Sequence, residues 1–241
     1  MEVELHDSNI EGSKEKMEIV ARLLCVFFGY CIGLLQTSYI YGKLHGIDIR
    51  EHGSGNAGTT NALRVLGKKA GLIVFAGDLC KAVVTCVIAR YVGIHYFPDI
   101  VYPVILWAGL GVVIGHNYPF YMNFKGGKGI AATAGVVLGI FDWRIIGVCL
   151  LAFVITVIVT RYVSLGSLIV VSLFFIMFVC LGITGRIINP VTGIAFSGAD
   201  LIECYIIIFL FDSLAFYRHK ANIVRLIHGE ENKIFSKKQE E

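Results

Sequence analysis

Long apolar runs, each closed by a short polar or glycine-rich stretch, organise the chain from near Ile19 to near Tyr217. A helix needs about 20 residues to cross the hydrocarbon core, within a range of about 17 to 25. Runs 19–42, 70–93, 100–121, 144–161 and 164–185 meet that requirement. Run 199–217 meets it while carrying Asp200, Glu203 and Asp212. Run 129–141 is short and contains glycine, a length suited to a helix shielded inside a bundle. The pattern predicts an all-α integral membrane protein, a bundle of about seven transmembrane helices. The count falls to five or six if the short and the charged runs do not cross.

Composition agrees. Charged residues make up 16% of the 241 positions and hydrophobic ones 56%, whereas a soluble domain carries about 25% charged residues. One membrane domain, 19–217, is expected between a polar, acidic tail, 1–18, and a C-terminal segment, 218–241. The start, MEVELHDSNIEGSKEKMEI, lacks the basic opening and cleavage site of a secretory signal, so it reads as a retained tail. The cysteines Cys25, Cys31, Cys80, Cys86, Cys149, Cys180 and Cys204 sit in apolar surroundings without CxxC pairing. That scatter argues against a disulfide framework or a zinc site and for small hydrophobes.

Charge placement sets an orientation. Seven crossings put the termini on opposite sides. With the N-terminus outside, the inner segments hold Lys43, Arg50, Arg64, Lys68, Lys69, Lys125, Lys128, Arg161, Arg218, Lys220, Arg225, Lys233, Lys237 and Lys238. The outer ones keep Lys14, Lys16, Arg22, Arg90, Arg144 and Arg186. This bias matches the positive-inside rule and predicts a cytoplasmic C-terminus.

Three unusual stretches then share the cytoplasmic face: EHGSGNAGTTNALRVLGKKAG, GHNYPFYMNFKGGKG and RHKANIVRLIHGEENKI. In GSGNAGTTN the glycines permit φ > 0 and a close ligand approach, and successive N–H groups suit an anion. Thr60 or Asn61 is expected to cap the next helix, whose N-terminal end also favours anions. Arg64 follows, where a guanidinium can fork onto phosphate oxygens. A plain polar turn between two spans is the other reading. FKGGKG adds Lys125 and Lys128 among glycines. A basic inner loop serves as an anchor on anionic lipid; the glycines favour a loop wrapped around an anion. Met122 and Gly129 stand where a Walker A loop needs Gly and Ser or Thr, so nucleotide hydrolysis loses support.

Asp78 and Lys81 lie at i, i+3 inside the second run, on one helix face. Charges there are costly, so a structural ion pair near the site is expected, with direct ligand contact as the alternative. His116 and His219 are single histidines, the second followed by Asn222 and Glu231. No HExxH or Cys/His cluster is present, and neither a metal nor another cofactor is expected.

The three motifs, in order between apolar spans from about Tyr30 to Ile234, resemble those of the PlsY family of bacterial glycerol-3-phosphate acyltransferases. The resemblance implies acyl transfer from acyl phosphate to the 1-hydroxyl of glycerol 3-phosphate, at the first committed step of phospholipid synthesis. It implies a multi-pass protein of the bacterial cell membrane, with lipid around it and no nucleic-acid partner. By motif position it assigns catalytic roles to Ser54, Arg64, Lys128, His219 and Asn222. Substrate contacts fall to Gly53, Gly55, Asn56, Asn61, Lys125, Gly126, Gly127, Gly129, Ser164 and Glu231. Thr37, before Ser38, and Ala57 depart from the family pattern without removing a charge or hydroxyl, and the segment before Met17 is unmatched. A transporter of a phosphorylated metabolite remains the alternative, disfavoured because the polar stretches share one face and no repeat is visible. A membrane-anchored structural protein would leave the clustered polar residues without a purpose.

Overall fold

A computed structural model describes residues 2–234, with side chains from Gly12 onward. Lys237 and Lys238, counted above toward the inner face, lie outside the described residues. Helices α1 (Glu2–Gly33), α2 (Thr37–Leu44), α3 (Thr59–Tyr96), α4 (Val101–Asn117) and α5 (Ile130–Gly139) form the first half of the bundle. Helices α6 (Trp143–Thr160), α7 (Val163–Ile183), α8 (Gly198–Arg218) and α9 (Lys220–Ile227) complete it. Among the described residues the fold is helical apart from an isolated bridge between Ile188 and Ala195. Five stretches among them, 12–44, 59–96, 98–122, 143–160 and 163–183, are long and apolar enough to cross a membrane.

Helix α4 is the axis, and along it only Trp107 and Ile114 escape full burial. Helices α1, α3 and α8 pack around it, α5 lies on α3, and α7 lies between α6 and α8. Glycine makes the α1–α4 seam possible. A side chain at Gly29 would sit 2.0 Å from the Ala108 carbonyl oxygen, and one at Gly111 would sit 2.3 Å from that of Val26. Backbones that approach this closely need small residues four apart, here Gly29 with Gly33 and Gly111 with Gly115.

Two expectations are corrected. Run 19–42 is not one helix: α1 ends at Gly33 and α2 begins at Thr37, with a buried Gln36 between them. Helix α1 itself is continuous from Glu2 into the first span. The second run starts earlier than residue 70. Helix α3 begins at Thr59 and kinks at Gly67, whose φ of 87° breaks the helical backbone. The acidic residues of run 199–217 find internal partners. Arg22 bonds Glu203 at 2.7 Å and Asp200 at 3.2 Å, and Ser172 donates to Asp212 at 3.1 Å.

Contacts between connections sort them onto two ends. At one end Arg50 reaches the Met122 carbonyl, Arg218 reaches the Gly127 carbonyl, and the Ile234 amide bonds Arg161. At the other, Lys14 pairs with Asp99, Asn189 bonds Pro98, and Arg144 bonds the Arg186 carbonyl. The glycine-rich stretches all belong to the first end.

Candidate active site

The first glycine stretch is held by its own side chains. Asp48 accepts from the Arg50 amide and from its guanidinium at 2.7 Å, which holds the Asp48 carboxyl well below the usual range. Asn61 does not cap α3; the N-cap is Gly58, with no side-chain cap bond. Its amide instead staples the loop, accepting from the Ser54 N–H at 2.8 Å and donating to the Ile49 and His52 carbonyls. Ser54 and Arg64 are exposed, as is Lys125 in the second stretch.

The second stretch folds back onto the end of α4. Gly126 N–H donates to the Asn117 carbonyl and Gly127 N–H to that of His116, both at 3.1 Å. In the first stretch Gly55 N–H bonds His52 and Gly58 N–H bonds Asn56. These four N–H groups serve the loops' own geometry. Gly129 enters α5 with φ +80°, and a side chain there would meet Asn117 Oδ1 at 2.7 Å and Val113 at 2.8 Å. A side chain at Gly127 would meet His116 Nε2 at 2.1 Å and the Ala57 carbonyl at 2.5 Å, so the two glycine stretches touch.

Onto this base the third stretch brings its polar side chains. Lys128 Nζ donates to Asn222 Oδ1. Asn222 Nδ2 donates to Glu231 Oε1 at 2.8 Å, and Arg225 Nε donates to Glu231 Oε2 at 2.9 Å. His219, Asn222 and Glu231 are buried. Arg218 holds the carbonyls of Gly126 and Gly127 at 3.0 and 2.8 Å and lies over the Tyr118 ring.

Electrostatics follow from crowding. Burial pushes the Lys128 ammonium down to about 8; Glu231 opposes this, while Arg225, Arg218 and Arg64 add to it. Arg64 and Lys128 thus act within one field. Burial also pushes His219 down to about 4, aided by Lys128 and Arg218. Near pH 7 its imidazole is neutral. Its Nδ1 lies 2.8 Å from the Ala215 carbonyl, which only accepts, so Nδ1 carries the proton and Nε2 keeps a lone pair.

Lys128, Asn222, His219, Glu231, Gly126, Gly127 and, by its field, Arg64 form one cluster. Ser54, Gly53, Gly55 and Asn56 share its end of the bundle and, among the described residues, make no side-chain hydrogen bond to it. Ser164 is buried at the start of α7, and its hydroxyl has no hydrogen-bond partner among the described residues. An apolar groove of about 620 Å³ between α1 and α3, lined by Met17, Leu24, Phe28 and Val92, opens at the opposite end and is remote from Lys128. Sequence reading missed Arg218 as the strut of the glycine loop and Arg225 as the partner of Glu231. Their place inside RHKANIVRLIHGEE was the available signal.

Residues 23–229 match the sequence family described as glycerol-3-phosphate acyltransferase. A glycerol-3-phosphate acyltransferase of Clostridioides difficile strain 630 is 38% identical over 92% of this chain and all of its own. One from Thermoanaerobacter sp. strain X514 is 39% identical over 89% of this chain and 96% of its own. The crystal structure of PlsY (YgiH), an integral membrane glycerol 3-phosphate acyltransferase in its glycerol 3-phosphate form, superimposes with a TM-score of 0.73. That match has 32% identity and covers 88% of this chain and 95% of the other. With the motifs, the helical bundle and these likenesses together, the chain belongs to the PlsY family of glycerol-3-phosphate acyltransferases.

Proposed function

We propose that this multi-pass membrane protein transfers a fatty acyl group from acyl phosphate to the 1-hydroxyl of glycerol 3-phosphate. The products are lysophosphatidic acid and inorganic phosphate, for phospholipid synthesis. The observation that carries the reading is Lys128 bonded to Asn222 beside the glycine loop that Arg218 braces, with Arg64 and His219 close enough to bear on the charge of the lysine. Both reactants bear phosphate, and this end of the bundle concentrates cations.

In the proposed reaction the glycerol hydroxyl oxygen attacks the acyl carbonyl carbon. The carbon–oxygen bond to phosphate then breaks, and phosphate leaves with the electron pair. Lys128 and Arg64 grip phosphate, Arg64 through a forked guanidinium. Ser54 and Asn222 polarise the carbonyl as donors, each contributing a factor of ~10² to 10³, while the His219 Nε2 lone pair accepts from the hydroxyl and orients it. Gly53, Gly55, Asn56, Asn61, Lys125, Gly129, Ser164 and Glu231 shape the pocket around them. An acyl phosphate is already activated, so proximity supplies much of the rate. The low proton affinity of His219 favours a substrate phosphate oxygen as acceptor of the hydroxyl proton.

The same reading has seven helices crossing the membrane, N-terminus outside and the glycine loops in the cytoplasm. Helices occupy all seven predicted runs, and their connections alternate between two ends. Helix α5 has 10 residues, about 15 Å of rise, and completes its crossing with the non-helical residues at its ends. Purified protein in detergent, without a sealed compartment, tests the activity. Labelled glycerol 3-phosphate should gain the acyl chain from palmitoyl phosphate and not from acyl-CoA or acyl carrier protein. No product from any donor overturns the reading.

A further inference from the structure

The break between α1 and α2 is closed by charged groups that no step above uses. Lys81 Nζ donates to the Leu35 carbonyl at 2.6 Å and the Gly33 carbonyl at 3.2 Å, and it lies 3.0 Å from His116 Nδ1. Asp78 Oδ1 lies 3.1 Å from the same ammonium and accepts from Thr37 Oγ1 at 3.1 Å. Asp78, Lys81 and His116 are all buried. Charges inside a membrane bundle are costly to keep. Carbonyls freed at a helix break can be satisfied by neutral donors, and Gln36 already serves Gly33, Gly115 and His116 here. A lysine is therefore more than the break requires.

Its third bond gives the reason. An ammonium only donates, so His116 Nδ1 accepts and the ring proton sits on Nε2. Nε2 is the edge turned toward the Gly127 Cα, where the Ala57 carbonyl of the other glycine stretch also arrives. The His116 carbonyl accepts both Gln36 Nε2 and the Gly127 N–H. Lys128 is the next residue.

We infer that Lys81, acting through His116 and held in place by Asp78, is a positioning residue that sets the loop carrying Lys128 against the first glycine stretch. The inference rests on the acyltransferase reading above. Lys81 orients the imidazole, the imidazole and its carbonyl fix Gly127, and Gly127 aims the ammonium that meets substrate phosphate. Such outer partners typically cost about 10- to 100-fold when removed from the metal sites where they are best measured. An effect of about tenfold on substrate KM is expected here.

Initial rates across glycerol 3-phosphate and acyl phosphate are measured for the full chain, Lys81→Met, His116→Asn and the double variant. Asparagine keeps an acceptor near the Nδ1 position and removes the Nε2 edge. Each single variant should raise KM for at least one phosphate substrate about tenfold, with kcat changed less than about threefold. The double variant should be no worse than the poorer single, because both act through one linkage. Losses that multiply in the double variant overturn the inference. So does an unchanged KM with a lowered melting temperature alone, the signature of a plug for the α1 break. Should Lys81→Met fail to accumulate, His116→Asn decides: a KM within about twofold of the parent chain overturns the inference. A parent chain that transfers no acyl group from any donor sinks the acyltransferase reading and this one with it.

Discussion

Lys128 and Asn222, 94 residues apart in the chain, share a hydrogen bond that ties the second glycine stretch to α9. Because Asn222 passes its other amide atom to Glu231, the ammonium is held by a neutral acceptor with a carboxylate one bond further out. The lysine therefore keeps its net charge for an incoming anion.

Substituting Lys128 with Met should cut kcat/KM by a factor of ~10² to 10³, the usual scale for a fixed donor at developing charge. Asn222→Leu should cost less in binding, because Lys128 remains charged. The measurement is acyl transfer under saturating and limiting glycerol 3-phosphate. Equal kinetics for Lys128→Met and the parent chain would remove Lys128 from the site.

The proton affinity of Lys128 gives a pH dependence. With burial and neighbouring arginines holding it at about 8 in the free protein, the ammonium is lost as pH rises through that value. Because kcat/KM reports groups of the free enzyme, its alkaline limb should fall around pH 8 rather than near 10.5. Lys128→Arg should retain less activity at neutral pH and lose that limb, since guanidinium stays charged.

His219 should make the fold acid-sensitive. Its folded-state value of about 4 lies below the ordinary 6.5, so the unfolded chain binds more protons between those values. Stability then rises with pH across that window and is lost as pH falls from 6.5 toward 4. Thermal unfolding in detergent at a series of pH values should show this slope, and His219→Gln should flatten it.

Asn61→Ala removes three bonds from the first loop and leaves the Ser54 N–H and the Ile49 and His52 carbonyls to find new partners. A cost on the order of 2 kcal/mol is expected, given about 1–3 kcal/mol for a buried group left unpaired. Asn61→Asp should recover only the bond to Ser54, because a carboxylate cannot donate to the two carbonyls. Melting temperature and glycerol 3-phosphate KM together distinguish a loosened loop from a lost ligand contact.

Most of the architecture was legible in the chain. Apolar runs of bilayer length announce helices because an unpaired backbone group in hydrocarbon costs several kcal/mol. The runs at 144–161, 164–185 and 199–217 agree with α6, α7 and α8 to within two residues. The motifs carried the family, since charged and glycine-rich stretches between apolar spans need a reason to exist.

Residue types and their periodicity thus determined which segments are helical and which polar stretches stand between them. Local pattern could not tell that 19–42 breaks at Gly33, because the carbonyls freed there are met by Lys81 and Gln36, side chains whose reach depends on packing. Nor could it tell that the glycine amides bond to α4 and to their own loop, or that Asn61 is a staple and not a cap. Those outcomes were decided only when α3, α4 and α9 came together. A polar group takes whichever partner the fold brings within about 3 Å, and partners such as Asn222 and Arg218 come from remote parts of the chain.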